Sequence, residues 1–221
     1  CASRYFLSEV HMAQKHTNEN YVHNCGSQQM DITAFAKSIV NMGFQQQECL
    51  DILTFYLFNA PVLKSNKTDD QFGLKSLREY GWVGNPDMSK LEGRLLKSAG
   101  IGMFCFIKSD SISETLESMN LGQKICIEHP RAVIKQNYNV VVREDNSVCI
   151  TKQETRMECL FRHIRNAFAH NHTYDFNNGM IMLEDCDDNG KISARIIFPK
   201  RSLIDWRRIV KREEDESHNT Q

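Results

Sequence analysis

The sequence predicts a mainly α fold: a helical bundle with inserted β-hairpins. Three observations lead there. Apolar residues recur at helical spacing in several stretches, most clearly at Met157, Leu160, Phe161, Ile164, Ala167 and Phe168. Helix-ending residues, Gly43 and Pro61, close two of those stretches. The remaining apolar runs are short and gather around two turn signals, "REDN" at 143–146 and Asn189-Gly190. The 221 residues fit one domain over 1–212, followed by a disordered acidic tail, "EEDESHNTQ", over 213–221.

Taken in order, residues 4–15 read as a short helix with Tyr5, Phe6, Val10 and Met12 as its apolar positions. A polar linker covers 18–29. Asp31 is placed to cap a helix over 32–42 that Gly43 ends. A second helix over 46–59 carries Leu50, Ile52, Leu53, Tyr56, Leu57 and Phe58, and Pro61 stops it. These two form a helical hairpin. A loop over 65–70 leads to a helix over 89–98, then to a run over 101–107 that suits either helix or strand. Ser111 with Glu114 caps a helix over 111–119. Residues 133–142 and 147–150 pair as a hairpin. Thr151 with Glu154 makes a capping box ahead of the helix over 157–168. Residues 180–184 and 192–198 form the second hairpin around Asn189-Gly190. A last helix starts at Pro199 and Ser202 and runs to about Arg212.

Charge and cysteine content narrow the function. The formal net charge is −1, so any grip on nucleic acid must be local. The eight cysteines include no CxxC pair, and no apolar run reaches the ~20 residues of a membrane helix. Free thiols, a cytoplasmic location and no membrane contact are expected. Cys1 fits a processed lipoprotein or a trimmed chain, and the second is expected. Phosphate loops, a dinucleotide-binding glycine pattern, the Glu-x-Lys of metal-dependent nucleases and a GxSxG elbow are all missing. No cofactor and no metal are expected. Cys159 and His163, one turn apart, lack the partner doublet of a zinc site. His163 reads as an exposed or capping side chain, and Asp175, Asp185, Asp187 and Asp188 read as turn residues.

The stretch that carries chemistry is "LFRHIRNAFAHNHTYDF", residues 160–176. On a helical wheel Arg162 and Asn166 lie opposite the apolar face, and Arg165 sits on its flank. His170 follows one turn beyond Asn166. A cation, an amide and an imidazole therefore meet at one helix end, away from the core. Cutting RNA without a metal needs those groups. A base takes the 2′-hydroxyl proton, an acid protonates the leaving 5′-oxygen, and positive charge steadies the phosphorane. Arg matches phosphate with a fixed fork of donors.

"FRHIRNAFAHNHTY" also resembles the signature of the HEPN superfamily, whose members carry Arg, a polar residue and, after a short spacer, His near a helix end. Arg165, Asn166 and His170 match these positions one by one. The following hairpin and helix, to about Arg212, resemble a plasmid-encoded, defence-associated branch of the same superfamily. The resemblance implies an all-helical scaffold and a metal-independent endoribonuclease that leaves 2′,3′-cyclic phosphate and 5′-hydroxyl ends. It implies RNA as substrate, a homodimer with a composite active site, and a toxin or defence role in which an antitoxin protein is a possible partner. Arg165, Asn166 and His170 would be catalytic. Arg162, His172, Arg207, Arg208 and Lys211 are the candidates for RNA binding, with Arg156 lining the same groove. Each has a plainer reading: His172 as a loop residue, and the basic stripe at Arg207, Arg208, Lys211 and Arg212 as a solvated face balanced by the acids at 213–216. The alternative to catalysis is a dimerising module that binds RNA, a nucleotide or an antitoxin. In that case Arg165 and Asn166 would lock the fold by bonding backbone carbonyls.

Overall fold

In the computed structural model the described residues are 39–63, 73–107, 112–117, 119, 130–136, 139–142, 148–152, 154–176, 178–186 and 189–213. The helix expected over 4–15, the linker over 18–29, the Asp31 cap, the loop over 65–70 and the tail from 214 lie outside them.

The helical-bundle expectation is wrong. At the centre is a five-stranded mixed sheet in the order β1-β2-β7-β6-β5, which makes this an α/β fold. Its strands are β1 (Phe104–Ile107), β2 (Arg131–Lys135), β5 (Thr173–Asp175), β6 (Met180–Cys186) and β7 (Ile192–Pro199). β1 and β2 run parallel, and the other neighbours run antiparallel. A separate two-stranded ribbon joins β3 (Asn139–Val142) to β4 (Val148–Lys152). Sequence periodicity read 133–142 as one strand of a local hairpin. The chain divides it: Arg131–Lys135 enters the main sheet between β1 and β7, and Asn139–Val142 makes the ribbon. Both pairings of β2 are long-range, and a run of five residues holds no trace of a partner so far away.

The helices are α1 (Gln46–Leu53), continued by a π-helical turn at Thr54–Phe58, α2 (Gly84–Ala99), α3 (Ile112–Glu117), α4 (Arg156–Ala169) and α5 (Ser202–Lys211). α4 packs on β6 and β2, while α5 packs on α1 and α2. Alternate strand residues supply the helix-covered face: Phe104, Ala132, Ile134, Ile181, Leu183, Ala194, Ile196 and Phe198 share one buried cluster with Phe161, Phe168 and Trp206. Trp206 stacks on Phe198 with ring centroids 4.9 Å apart and gives its indole N–H to the Leu95 carbonyl at 3.0 Å. Val133, Met180, Met182 and Ile197 point to the other face, where Ile112 and Leu116 of α3 cover them.

The Asn189-Gly190 turn does join two antiparallel strands, with Gly190 at φ +78°. The cap of α4 differs from the expectation. The sequence offers two Thr-x-x-Glu patterns four residues apart. Thr151 is used up in β4, so Thr155 takes the cap. Its Oγ1 accepts from the Glu158 amide at 3.2 Å, and Glu158 accepts from the Thr155 amide at 3.0 Å.

Candidate functional site

The motif helix α4 lies between the sheet and the end of α1, and each motif residue meets a different element. Arg165 faces the π-helical turn. That turn shifts the backbone register before Pro61, and the Leu57 carbonyl accepts from Arg165 Nε at 3.1 Å. Asn166 faces β6 and donates from Nδ2 to Asp185 Oδ2 at 3.1 Å. His170 is the C-cap residue of α4, its amide bonded to the Asn166 carbonyl at 2.9 Å.

The turn after α4 sets the position of the two histidines. Asn171 takes the left-handed conformation at φ +57°. The His172 amide bonds back to the Ala167 carbonyl at 2.8 Å, and the Asn171 amide to Phe168 at 3.1 Å. These two bonds make a Schellman motif, and Asn is the non-glycine residue that adopts its left-handed position most readily. The His172 carbonyl then accepts from the Glu184 amide at 3.1 Å, which ties the turn to β6. Reversal across one left-handed residue brings the rings of His170 and His172 together, with centroids 6.1 Å apart and planes inclined by 36°. Both side chains are partly exposed. Nδ1 of His170 is buried and has no hydrogen-bond partner among the described residues, the kind of unpaired polar atom that native folds rarely leave without a use.

Behind this turn lies a buried polar network that the sequence reading missed. His163 is 1% exposed, not the exposed or capping side chain expected. Its Nδ1 donates to Asp185 Oδ2 at 2.6 Å. Its Nε2 lies 3.0 Å from the Lys135 carbonyl and 3.2 Å from Arg162 Nη2. A neutral ring accepts from the guanidinium, a protonated ring donates to the carbonyl, and either form is satisfied. Asp185 is not a turn residue but a buried member of β6. Glu184 beside it projects to the opposite face and takes a charge-assisted bond from Arg195, its cross-strand neighbour on β7. The available signal was "ED" inside the apolar run 180–186. Two consecutive acids in a central strand must point to opposite faces, and both must find partners.

Arg162, expected on an RNA groove, is clamped in two bonds by the buried Glu154, at 2.8 and 3.1 Å. The Glu154 carboxylate holds the Arg162 guanidinium pKa above its usual value in spite of burial. Arg156 lies over the Phe106 ring at 4.5 Å and pairs with Glu92 at 3.0 Å. On α5, Arg207 bonds Asp51 at 3.2 Å and Glu213 at 2.8 Å, and Lys211 also bonds Glu213 at 2.8 Å. Arg212 lies over Trp82 at 4.6 Å. Of the stripe, Arg208 and Lys211 are exposed and Arg207 is largely covered. The structure therefore gathers His170 and His172 into one place, links Asn166 to the buried network, and spends much of the basic surface on its own acids.

Burial pushes the Cys159 thiol up to about 12, with the Glu154 carboxylate adding to the shift, so it is a packing residue at neutral pH. Among the described residues no three His, Cys, Asp or Glu side chains are grouped to hold a metal ion, and no helix is long and apolar enough to cross a membrane. Comparison of the chain with protein-family models, curated proteins and solved structures finds no match.

Proposed function

We propose that this chain is an endoribonuclease that works without a metal, cleaving RNA to 2′,3′-cyclic phosphate and 5′-hydroxyl ends. The observation that carries the reading is the helix end of α4, where a rigid Schellman turn presents the partly exposed His170 imidazole beside a second one. His170 transfers a proton. Arg165, from the same helix, contributes positive charge. Asn166 orients the helix end through Asp185. What is kept from the HEPN resemblance is this motif chemistry and the RNA substrate, without the bundle. Dimerisation belongs to the same reading, as a way to bring two helix ends into one composite site. A toxin or defence role, with an antitoxin protein as a possible partner, is what the HEPN resemblance implies for such an enzyme.

The test is cleavage of a fluorescent RNA by purified protein in excess chelator. His170→Ala should lose ~10²–10⁴ in rate while its fold persists, the size typical of a removed proton-transfer group. A His170→Ala protein as fast as wild type refutes the assignment.

A second reading has its own supporting observation. Arg165 bonds a backbone carbonyl and Asn166 bonds a buried carboxylate, as a motif retained for structure would. The chain would then be a binding module for RNA, a nucleotide or an antitoxin. Expression in bacteria separates the two. The nuclease slows growth and His170→Ala relieves it, whereas the binding module gives equal growth with either residue.

A further inference from the structure

The proposed reaction needs two proton-transfer groups, and a single motif histidine provides one. A partner chain could bring the second. The structure offers a nearer source. His172 has a fixed place: its amide is held by Ala167 and its carbonyl by Glu184, so the backbone on both sides of the ring is tied down. Its ring lies 6.1 Å from that of His170 and is inclined to it by only 36°. In-line displacement at phosphorus puts the attacking and leaving oxygens on opposite sides of the phosphorane. With hydrogen bonds of roughly 2.8 Å to each oxygen, the two nitrogens need to be about 5–8 Å apart. Ring centroids 6.1 Å apart are compatible with that range. A histidine in an untethered loop would not hold it.

We infer that His170 and His172 of one chain form the acid–base pair for RNA cleavage, so that each protomer carries a complete proton-transfer set. This rests on the ribonuclease reading. One imidazole, unprotonated, takes the proton from the ribose 2′-hydroxyl. The 2′-oxygen forms its bond to phosphorus as the bond from phosphorus to the 5′-oxygen breaks. The other imidazole, protonated, gives its proton to that 5′-oxygen. The products are the cyclic phosphate and the free 5′-hydroxyl. The two rings have then exchanged protonation states, and exchange with water restores them. No oxidant, metal or further reactant enters the balance. The substrate is a ribose phosphodiester, and DNA, which lacks the 2′-hydroxyl, is not cut.

Two measurements test the pair. In the first, His172→Ala is assayed beside wild type for cleavage in chelator and for binding to a 2′-deoxy-substituted oligonucleotide. Cleavage should fall by ~10²–10⁴ with binding changed less than about threefold, and added free imidazole should restore part of the rate. A merely structural histidine would show no imidazole rescue. In the second, wild type is mixed with a tenfold excess of His170→Ala chain. An in-chain pair leaves activity per wild-type chain unchanged, while a pair shared between chains loses most of it as mixed dimers form. If wild type cleaves and His172→Ala cleaves equally fast, or if the excess variant extinguishes activity, the in-chain pair is overturned and the ribonuclease reading stands. If wild type cleaves no RNA, both are overturned.

Discussion

Asp185→Ala tests whether the buried network makes the motif helix and the β6–β7 hairpin one unit. The carboxylate accepts from His163 Nδ1 at 2.6 Å and from Asn166 Nδ2 at 3.1 Å. Its removal leaves both donors without an acceptor. Asn166 is partly exposed and can turn to water, but His163 is 1% exposed and cannot. An orphaned buried donor costs about 1–3 kcal/mol, and more when the lost acceptor is a charged group. The expected loss is therefore about 3 kcal/mol. With a urea slope of about 2 kcal/mol/M, the unfolding midpoint falls by about 1.5 M at unchanged slope. Asp185→Asn keeps one acceptor oxygen for His163 and should lose about half as much. A midpoint for Asp185→Ala within about 0.3 M of wild type would show that His163 and Asp185 do not depend on each other.

Further outcomes follow from other parts of the structure. Asn171→Gly should keep the Schellman turn and the cleavage rate, because glycine adopts φ +57° without strain. Asn171→Val should cost about 1–2 kcal/mol and most of the activity, measured by thermal melting and RNA cleavage on one preparation. Arg207→Ala should lower stability by about 1 kcal/mol and leave RNA affinity unchanged, since its guanidinium serves Asp51 and Glu213, whereas Arg208→Glu should weaken RNA binding without affecting melting. The raised Cys159 thiol gives a pH dependence of definite sign. Its folded pKa of about 12 lies above the ordinary thiol value of 9.0, so the folded state holds the proton longer. Its contribution to stability is complete below about pH 9 and is lost as pH rises toward 12. Denaturation midpoints from pH 8 to 11 should fall less steeply in Cys159→Ala. In the native protein at pH 8 the thiol should resist alkylation.

Local features of the chain were legible and distant ones were not. The helix over 157–168, the turn at Asn189-Gly190 and the start of α5 near Ser202 each depend on neighbours within a turn or two, and all three are present. The sheet was missed because β1 and β2 are runs of four and five residues. Nothing within such runs records that they lie side by side in parallel, or that Val133 pairs with Arg195. The π-helical turn was hidden for another reason. Apolar periodicity at 46–59 is the same whether the backbone bonds run to i−4 or i−5, yet that register accompanies the Leu57 carbonyl that Arg165 uses. Asp185 read as a turn residue because aspartate beside "DDNG" is usually at a turn. Its burial depends on His163 lying opposite on α4, a contact across 22 positions. The helix wheel put Asn166 opposite the apolar face, and nothing local could say that the buried Asp185 carboxylate of β6 would bond it there.

The most direct measurement of the central claim is the chemistry of the RNA ends. Wild-type protein, incubated with a short defined RNA in excess chelator, should produce 5′ fragments ending in 2′,3′-cyclic phosphate and 3′ fragments starting with a free 5′-hydroxyl, and His170→Ala should form both ~10²–10⁴ times more slowly. Intact RNA with wild type at every protein concentration, or fragments bearing 5′-phosphates, would contradict the account.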